Sequence, residues 1–303
     1  MYPVYQKRMR IISRNLIGYL LISAALFITA SCSTPPQENT MKNEPQNSTI
    51  CCDDSIMITA HRGGSGLAPE NTLAAFKSGI EQDADALEMD IHMTSDGHLV
   101  VVHDPSVART TGKTVVVETS TLAEIKKLDA AAKYFGKAFG SQQIPTLEEV
   151  LDLNDGKLWL QIEIKMRSDG SRYPDIESRL LQILEAYEIL DRVIIISFDF
   201  PTLKTIKVLN PAVLTGALAG KAYLSSVGAK GPDEVVRQIK ESGADYVGIS
   251  HTYLNNSLFG SFREAGLGVG VWTVNTIEDM RKYIELGVDF ITTDRPDLLR
   301  HCL

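Results

Sequence analysis

Two short segments of the sequence alternate charged and apolar side chains. The segment "ALEMDIHM" carries Glu88 and Asp90, and "QIEIK" carries Glu163 and Lys165. Residues two apart on a β-strand point to the same face, so each pair would share one face. Three converging carboxylates repel one another unless a cation lies between them, and oxygen ligands favour Mg2+ or Ca2+ over zinc. Glu88, Asp90 and Glu163 are therefore the predicted ligands of one divalent cation.

Two histidines follow short apolar runs, His61 in "ITAHRGG" and His103 in "HLVVVHD". An imidazole can accept or donate a proton near neutral pH, so both are candidates for acid and base catalysis. Arg62 and Lys165 would supply positive charge, and a guanidinium matches the geometry of a phosphate. Beside a divalent cation, this set predicts cleavage of a phosphate ester.

The acidic pairs need elements that bring them together. Taken alone, either segment also fits an antiparallel strand whose polar face lies in water. From residue 56 onward, however, strand-length apolar runs alternate with helical patterns, as in "SIMITAH", "NTLAAFKSGIEQ" and "ADALEMDIHM". This order predicts parallel strands with crossover helices, and about eight strand candidates fit a (β/α)8 TIM barrel of the α/β class. The acids would then face the lumen and the apolar residues the helices.

A doubly wound open sheet is the alternative architecture. Such a sheet would be expected to carry a glycine-rich phosphate turn after its first strand, and "HRGGSGLAPEN" lacks the GxGxxG spacing. The barrel is therefore predicted for residues 55–303. The long connection at about 104–143 is predicted to be a small inserted subdomain over the barrel mouth.

The first 31 residues have the basic, apolar and small-residue regions of a secretory signal, with the run "LIGYLLISAALFITA" ending at "SCS". The segment "ITASC" resembles a bacterial lipobox, which makes Cys32 the expected lipidated residue. Residues 32–54 are polar and would form a tether. We expect an exported protein of the cell envelope, anchored to the membrane through this lipid. An uncleaved anchor is the alternative.

Composition narrows the class of ligand. Hydrophobic residues make up 44% and charged residues 22% of the chain, values typical of a globular protein. The net charge of −8 comes without a basic stripe. A nucleic-acid partner is therefore not expected.

The motifs "HRG", "PENTLAAF", "ALEMDIHMTSDGHLVVVHD", "RTT", "IPTLEEVL", "IEIK", "VWTVN" and "ITTDRPDLL" resemble, in order, the signatures of the glycerophosphodiester phosphodiesterase family. The resemblance covers about residues 57–300. It implies a TIM barrel with an insertion, a divalent metal, and hydrolysis of glycerophosphodiesters to sn-glycerol 3-phosphate and an alcohol.

The resemblance also implies roles for individual residues. It assigns the catalytic histidines to His61 and His103 and the phosphate contacts to Arg62 and Lys165. It assigns the metal ligands to the three acids named above. Trp272, in "VWTVN", resembles a family position near the glycerol, although a buried core tryptophan is the alternative. His251 matches no motif of the family, and structural roles are expected for His92, His98 and His301.

Two other functions remain open at this level. One is a related barrel phosphodiesterase that acts on intact phospholipid or on an inositol phosphodiester. The other is a surface-binding lipoprotein without turnover.

Two local features have alternative interpretations. In "PENT", Glu70 and Asn71 could approach the site, or the segment could start a helix with Asn71 or Thr72 as its N-cap. Because both ends of a barrel chain meet at its bottom face, Cys302 is predicted to form a disulfide with Cys51 or Cys52 in an oxidising compartment. Three free thiols are the alternative.

Overall fold

The computed structural model describes residues 56–133 and 139–303. Eight parallel strands close into a barrel, in the order β1, β9, β8, β7, β6, β5, β4 and β2, and β1 pairs with β2. A short β3 lies antiparallel to β2. The strands are β1 Met57–Ala60, β2 Ala86–Met93, β3 Leu99–Val101, β4 Trp159–Ile164, β5 Val193–Ser197, β6 Leu214–Ala219, β7 Tyr246–Ser250, β8 Gly268–Trp272 and β9 Phe290–Thr293. The predicted (β/α)8 barrel is confirmed, and the open sheet is wrong.

Helices connect the parallel strands. They are α1 Leu73–Glu81, α2 Ala108–Thr111, α3 Leu122–Ile125, α4 Leu147–Asn154, α5 Ile176–Ala186, α6 Phe200–Leu209, α7 Lys221–Ser226, α8 Pro232–Glu241, α9 Asn256–Glu264, α10 Ile277–Leu286 and α11 Pro296–Cys302. Side-chain caps start several of them: Thr72 begins α1, and Thr146 and Glu149 form a capping box at α4. Leu87, Met89 and Ile91 of β2 belong to the main core cluster, with helix residues.

The strand register decides which side chains enter the lumen. Asp90 lies opposite Glu163, and Glu88 lies opposite Gln161. Since side chains alternate along a strand, all four point away from the helices. An apolar cluster closes the lumen at the amino ends of the strands, where its buried members are Met57, Ala86, Tyr246 and Phe290. The carboxylates therefore lie above an apolar plug and towards the carboxyl ends.

Glycine makes room for the aromatic rings of this plug. A Cβ at Gly270 would lie 1.9 Å from Cε2 of Phe290. We expect Gly270→Ala to lower the free energy of unfolding by about 1–3 kcal/mol, because a packed core resists overpacking. Urea denaturation measures the change.

Gly260, in the middle of α9, is the control for that prediction. No described atom lies within 4 Å of a Cβ built there. Gly260→Ala should raise the free energy of unfolding by up to about 1 kcal/mol, since alanine is the better helix former. Equal effects of the two substitutions would contradict the packing argument.

The strand β3 and the chain that leads from it to α4 share a small apolar cluster, formed by Val100, Val102, Val107, Val117, Ile125, Ala130 and Ile144. The helices α2 and α3 lie in this segment. It covers the region for which the insertion at about 104–143 was predicted, and those boundaries stay a prediction.

The predicted signal (1–31), the tether (32–54) and Cys32 lie outside the described residues. So do Cys51 and Cys52. Cys302 is partly buried and has no disulfide partner among the described residues, so the predicted disulfide stays a prediction. Among the described parts of the chain, none of the helices has the length and apolar character needed to cross a membrane.

Candidate active site

Three buried carboxylates lie together in the lumen. Glu88 and Asp90 come from β2 and Glu163 from β4, and one oxygen of each lies within 4.8 Å of the others. Their exposed fractions are 3%, 1% and 7%. The structure thus brings together the three acids that the sequence pattern singled out.

The electrostatics of this acid cluster favour a cation. Burial and the charge of Asp90 raise the pKa of Glu88 to about 8, and burial raises the pKa of Glu163 to about 7. Burial also opposes ionisation of Asp90, but Lys165 and Arg62 hold its pKa below the ordinary value. Lys165 Nζ lies 2.8 Å from Glu163 Oε1 and 3.3 Å from Asp90 Oδ1. An all-oxygen set that resists full ionisation on its own fits a hard divalent cation.

A carboxylate orients His61, which directly follows β1. The His61 Nδ1 atom lies 2.6 Å from Asp294 Oδ1, and Asn275 Nδ2 donates to Asp294 Oδ2 at 2.7 Å. The other ring nitrogen, Nε2, lies 4.0 Å from Glu88 Oε2. Burial lowers the pKa of His61, but the hydrogen bond to Asp294 and the charge of Glu88 outweigh it, so the pKa is raised. Nε2 is the nitrogen that faces the acid cluster.

His103 is held in the same way. Its Nδ1 atom lies 2.7 Å from Asp104 Oδ1, and Arg109 Nε donates to Asp104 Oδ2 at 2.6 Å. Burial lowers the pKa of His103, with Lys165 acting in the same direction. Both histidines therefore use Nδ1 for a carboxylate.

His92 supports the backbone beneath His103. Its Nε2 donates to the His103 carbonyl at 3.1 Å, and its Nδ1 accepts from the Tyr173 hydroxyl at 2.8 Å. Burial lowers the pKa of His92 to about 4, so this ring is neutral. The contacts of His92 are those of a structural histidine.

Arg62 connects the loop after β1 to the acid cluster. Its backbone N–H donates to Glu88 Oε2 at 2.8 Å, and its Nη1 donates to Glu70 Oε1 at 2.8 Å. The buried Nε has no hydrogen-bond partner among the described residues and lies 3.6 Å from Asp90 Oδ2. That buried nitrogen faces the Asp90 carboxylate, so Arg62 brings its positive charge to the edge of the acid cluster.

The segment "PENT" both starts a helix and contacts the site. Thr72 is the N-cap, because its hydroxyl accepts from the Ala75 N–H at 3.2 Å. Asn71 Nδ2 donates to Asp90 Oδ2 at 2.8 Å, and the buried Glu70 pairs with Arg62. Thr72 therefore starts the helix, whereas Glu70 and Asn71 contact the site, so both interpretations of this segment are correct.

Trp272 ends β8 at the carboxyl side of the barrel. Its indole Nε1 donates to the Gly248 carbonyl at 2.9 Å. Its ring meets Phe198 edge-on with centroids 5.5 Å apart, and 47% of Phe198 is exposed. Trp272 thus lies beside an accessible aromatic surface. His251 approaches the Trp272 carbonyl at 3.4 Å through Nδ1.

Sequence reasoning assigned no role to Asp294, Asp104 or Arg109. Each lies inside a quoted motif, "ITTDRPDLL", "HLVVVHD" or "RTT". Two signals were available: Asp104 directly follows a candidate catalytic histidine, and Asp294 directly follows an apolar strand pattern. Carboxylates at strand ends of a barrel are natural partners for histidines at the same end.

A (β/α)8 barrel with a buried acid cluster and two carboxylate-held histidines at one end defines a class of barrel hydrolases. Residues 61–298 match the model of the glycerophosphoryl diester phosphodiesterase family, and the chain belongs to that family of enzymes.

Curated relatives and solved structures agree with this assignment. The chain is 38% identical over 246 residues to the glycerophosphodiester phosphodiesterase of Caldanaerobacter subterraneus subsp. tengcongensis, covering 80% of this chain and 96% of the relative. It is 34% identical over 246 residues to that of Bacillus altitudinis, covering 79% and 95%. An Oleispira antarctica phosphodiesterase in complex with the product sn-glycerol-3-phosphate superposes with a TM-score of 0.69 at 25% identity, covering 81% of this chain and 96% of that chain.

Proposed function

We propose that this protein hydrolyses glycerophosphodiesters to sn-glycerol 3-phosphate and an alcohol, with a divalent cation and two histidines. The observation that carries the proposal is the site itself, where His61 and His103 are each oriented by a carboxylate beside the acid cluster. The family, and the product named for the Oleispira antarctica structure, support this substrate class.

Glu88, Asp90 and Glu163 would hold the cation, Mg2+ or Ca2+. A cation held there would polarise a phosphoryl oxygen and help to lower the pKa of the attacking water or glycerol hydroxyl. Arg62 would supply positive charge to the phosphate, and Lys165 balances the charge of the acids. Trp272, at the rim, would contact the glycerol.

The histidines move protons through Nε2. One accepts the proton of the nucleophile, and the other protonates the leaving alkoxide. Attack by water gives sn-glycerol 3-phosphate directly, whereas attack by a glycerol hydroxyl gives a cyclic glycerol phosphate that a water molecule then opens. Asp294 and Asp104 hold the tautomers that this transfer requires.

The test is a panel of substrates assayed with and without a chelator. Glycerophosphocholine should be hydrolysed, chelation should abolish turnover, and Mg2+ or Ca2+ should restore it. Phosphatidylcholine should not be hydrolysed; if it were the better substrate, the protein would be a phospholipid phosphodiesterase instead. Absence of turnover on every member would favour a binding lipoprotein.

Asp294→Asn tests the carboxylate behind His61. The amide keeps the shape but can donate to Nδ1 and stabilise the wrong tautomer, so kcat should fall by about 10²-fold or more. Steady-state kinetics measure the loss. Asp297→Asn, which changes an acid paired with the surface Arg295, is the control and should keep kcat. An Asp294→Asn enzyme with the control's kcat would contradict the role.

We further propose that the protein is an envelope lipoprotein with lipid on Cys32. The supporting observation is the signal-like segment that ends in "ITASC". Cys32→Ser should move the protein from the membrane fraction to the soluble envelope fraction without changing kcat. Membrane association that persists unchanged in this variant would favour an uncleaved anchor.

A further inference from the structure

A continuous series of charge pairs joins Arg62 to His103. Arg62 Nη1 donates to Glu70 Oε1 at 2.8 Å, and Arg109 donates to the same carboxylate twice, at 2.6 and 2.7 Å. Arg109 Nε donates to Asp104 Oδ2 at 2.6 Å, and Asp104 Oδ1 holds His103 Nδ1 at 2.7 Å. The series spans the loop after β1 and the segment that carries α2.

Arg109 is the residue that joins the two halves of this series. Three of its nitrogens donate to two carboxylates, and two of them bind Glu70 as a fork that a planar guanidinium offers and the single nitrogen of an ammonium does not. Glu70 is only 6% exposed, so its charge depends on the two arginines beside it. Their hydrogen bonds lower the pKa of Glu70 in spite of its burial.

We propose that Arg109 is a positioning residue that couples the phosphate-binding Arg62 to the proton-transferring His103. It acts through Glu70 on the direction of the Arg62 guanidinium and through Asp104 on the orientation of the imidazole. The inference rests on the proposed function, because it assigns Arg109 a part in the same reaction.

Removal of Arg109 would disturb both ends of the series. Of the three hydrogen bonds that described residues donate to Glu70, two come from Arg109. Asp104 would keep His103 but lose the partner that fixes its own carboxylate. Misplacement of reacting groups by about 1 Å can cost roughly 10²-fold in rate, so kcat should fall by about 10- to 100-fold. KM should change less than kcat, since proton transfer depends on orientation most strongly.

The experiment compares Arg109→Ala and Arg109→Lys with Arg237→Ala. Arg237 is a matched control, because it also pairs with two carboxylates, Glu234 and Glu241, but on the exposed face of α8. Hydrolysis of glycerophosphocholine is measured with added Mg2+, with and without free guanidinium ion at a concentration below its denaturing range. In parallel, the Nδ1–H signal of His103 is followed by NMR in protein with isotope-labelled histidine.

We expect kcat to fall in both Arg109 variants and to stay unchanged in Arg237→Ala. Guanidinium should restore part of the kcat of Arg109→Ala, and the His103 Nδ1–H should exchange faster with water in that variant. A kcat of Arg109→Ala or Arg109→Lys equal to that of the control would overturn the proposal. So would unchanged exchange of the His103 signal. If the unsubstituted protein fails to hydrolyse the substrate, the proposed function fails, and the exchange measurement still decides whether Arg109 fixes His103.

Discussion

Replacing His61 with alanine should lower kcat for a glycerophosphodiester by about 10²- to 10⁴-fold, and replacing His103 should do the same, because each removes a positioned proton-transfer group. The two rings share one arrangement, in which a carboxylate holds Nδ1, and in the proposed mechanism Nε2 transfers the proton. Steady-state kinetics at saturating substrate and cation measure both variants.

The exposed His301, near the end of α11, provides the control. His301→Ala should keep the full kcat. The cation should still raise the melting temperature of the His61 and His103 variants, since neither residue is a proposed ligand. A variant that retained most of its kcat would remove the substituted histidine from the mechanism.

The barrel could be predicted from the sequence because its determinants are local. Most strands are short and largely apolar runs, and several helices begin with a side-chain cap, such as Thr72 or Thr146. The face of the strand that carries the acids followed from the alternation of side chains along a strand. In β2, Glu88 and Asp90 had to share one face once Leu87, Met89 and Ile91 were given to the helices.

The pairing of His61 with Asp294 could not be fixed by the same local reasoning. His61 and Asp294 are 233 residues apart in the sequence and meet only because β1 and β9 are neighbours in the closed barrel. The Glu70 and Arg109 pair joins a loop to a segment whose path no periodicity describes. Contacts of this kind depend on closure of the sheet and on loop geometry, which residue patterns do not encode.

Glu163→Gln should weaken cation binding and lower kcat together while the barrel stays folded. The substitution keeps the side-chain volume but removes one of three carboxyl groups whose ligand oxygens lie within 4.8 Å of one another. A ligand that binds only the folded state stabilises it, by about 2.7 kcal/mol at a hundred times its Kd. The increase in melting temperature on adding Mg2+ or Ca2+ should therefore be smaller in Glu163→Gln than in the unsubstituted protein. Glu241→Gln, on the exposed face of α8, is the control and should keep the full increase.

The dependence of cation binding on pH gives this prediction a second measurement. Protons compete with the cation for the same oxygens, and the pKa values of Glu88 and Glu163 are raised to about 8 and about 7. Cation affinity, measured by calorimetry, should therefore rise with pH up to about 8 and then level off. Removal of the Glu163 carboxyl takes away one of the two competing protonations, so the rise should be shallower in Glu163→Gln. A variant with the unsubstituted protein's affinity and pH dependence would exclude Glu163 from the ligand set, because a carboxylate that binds the cation must lose its proton first.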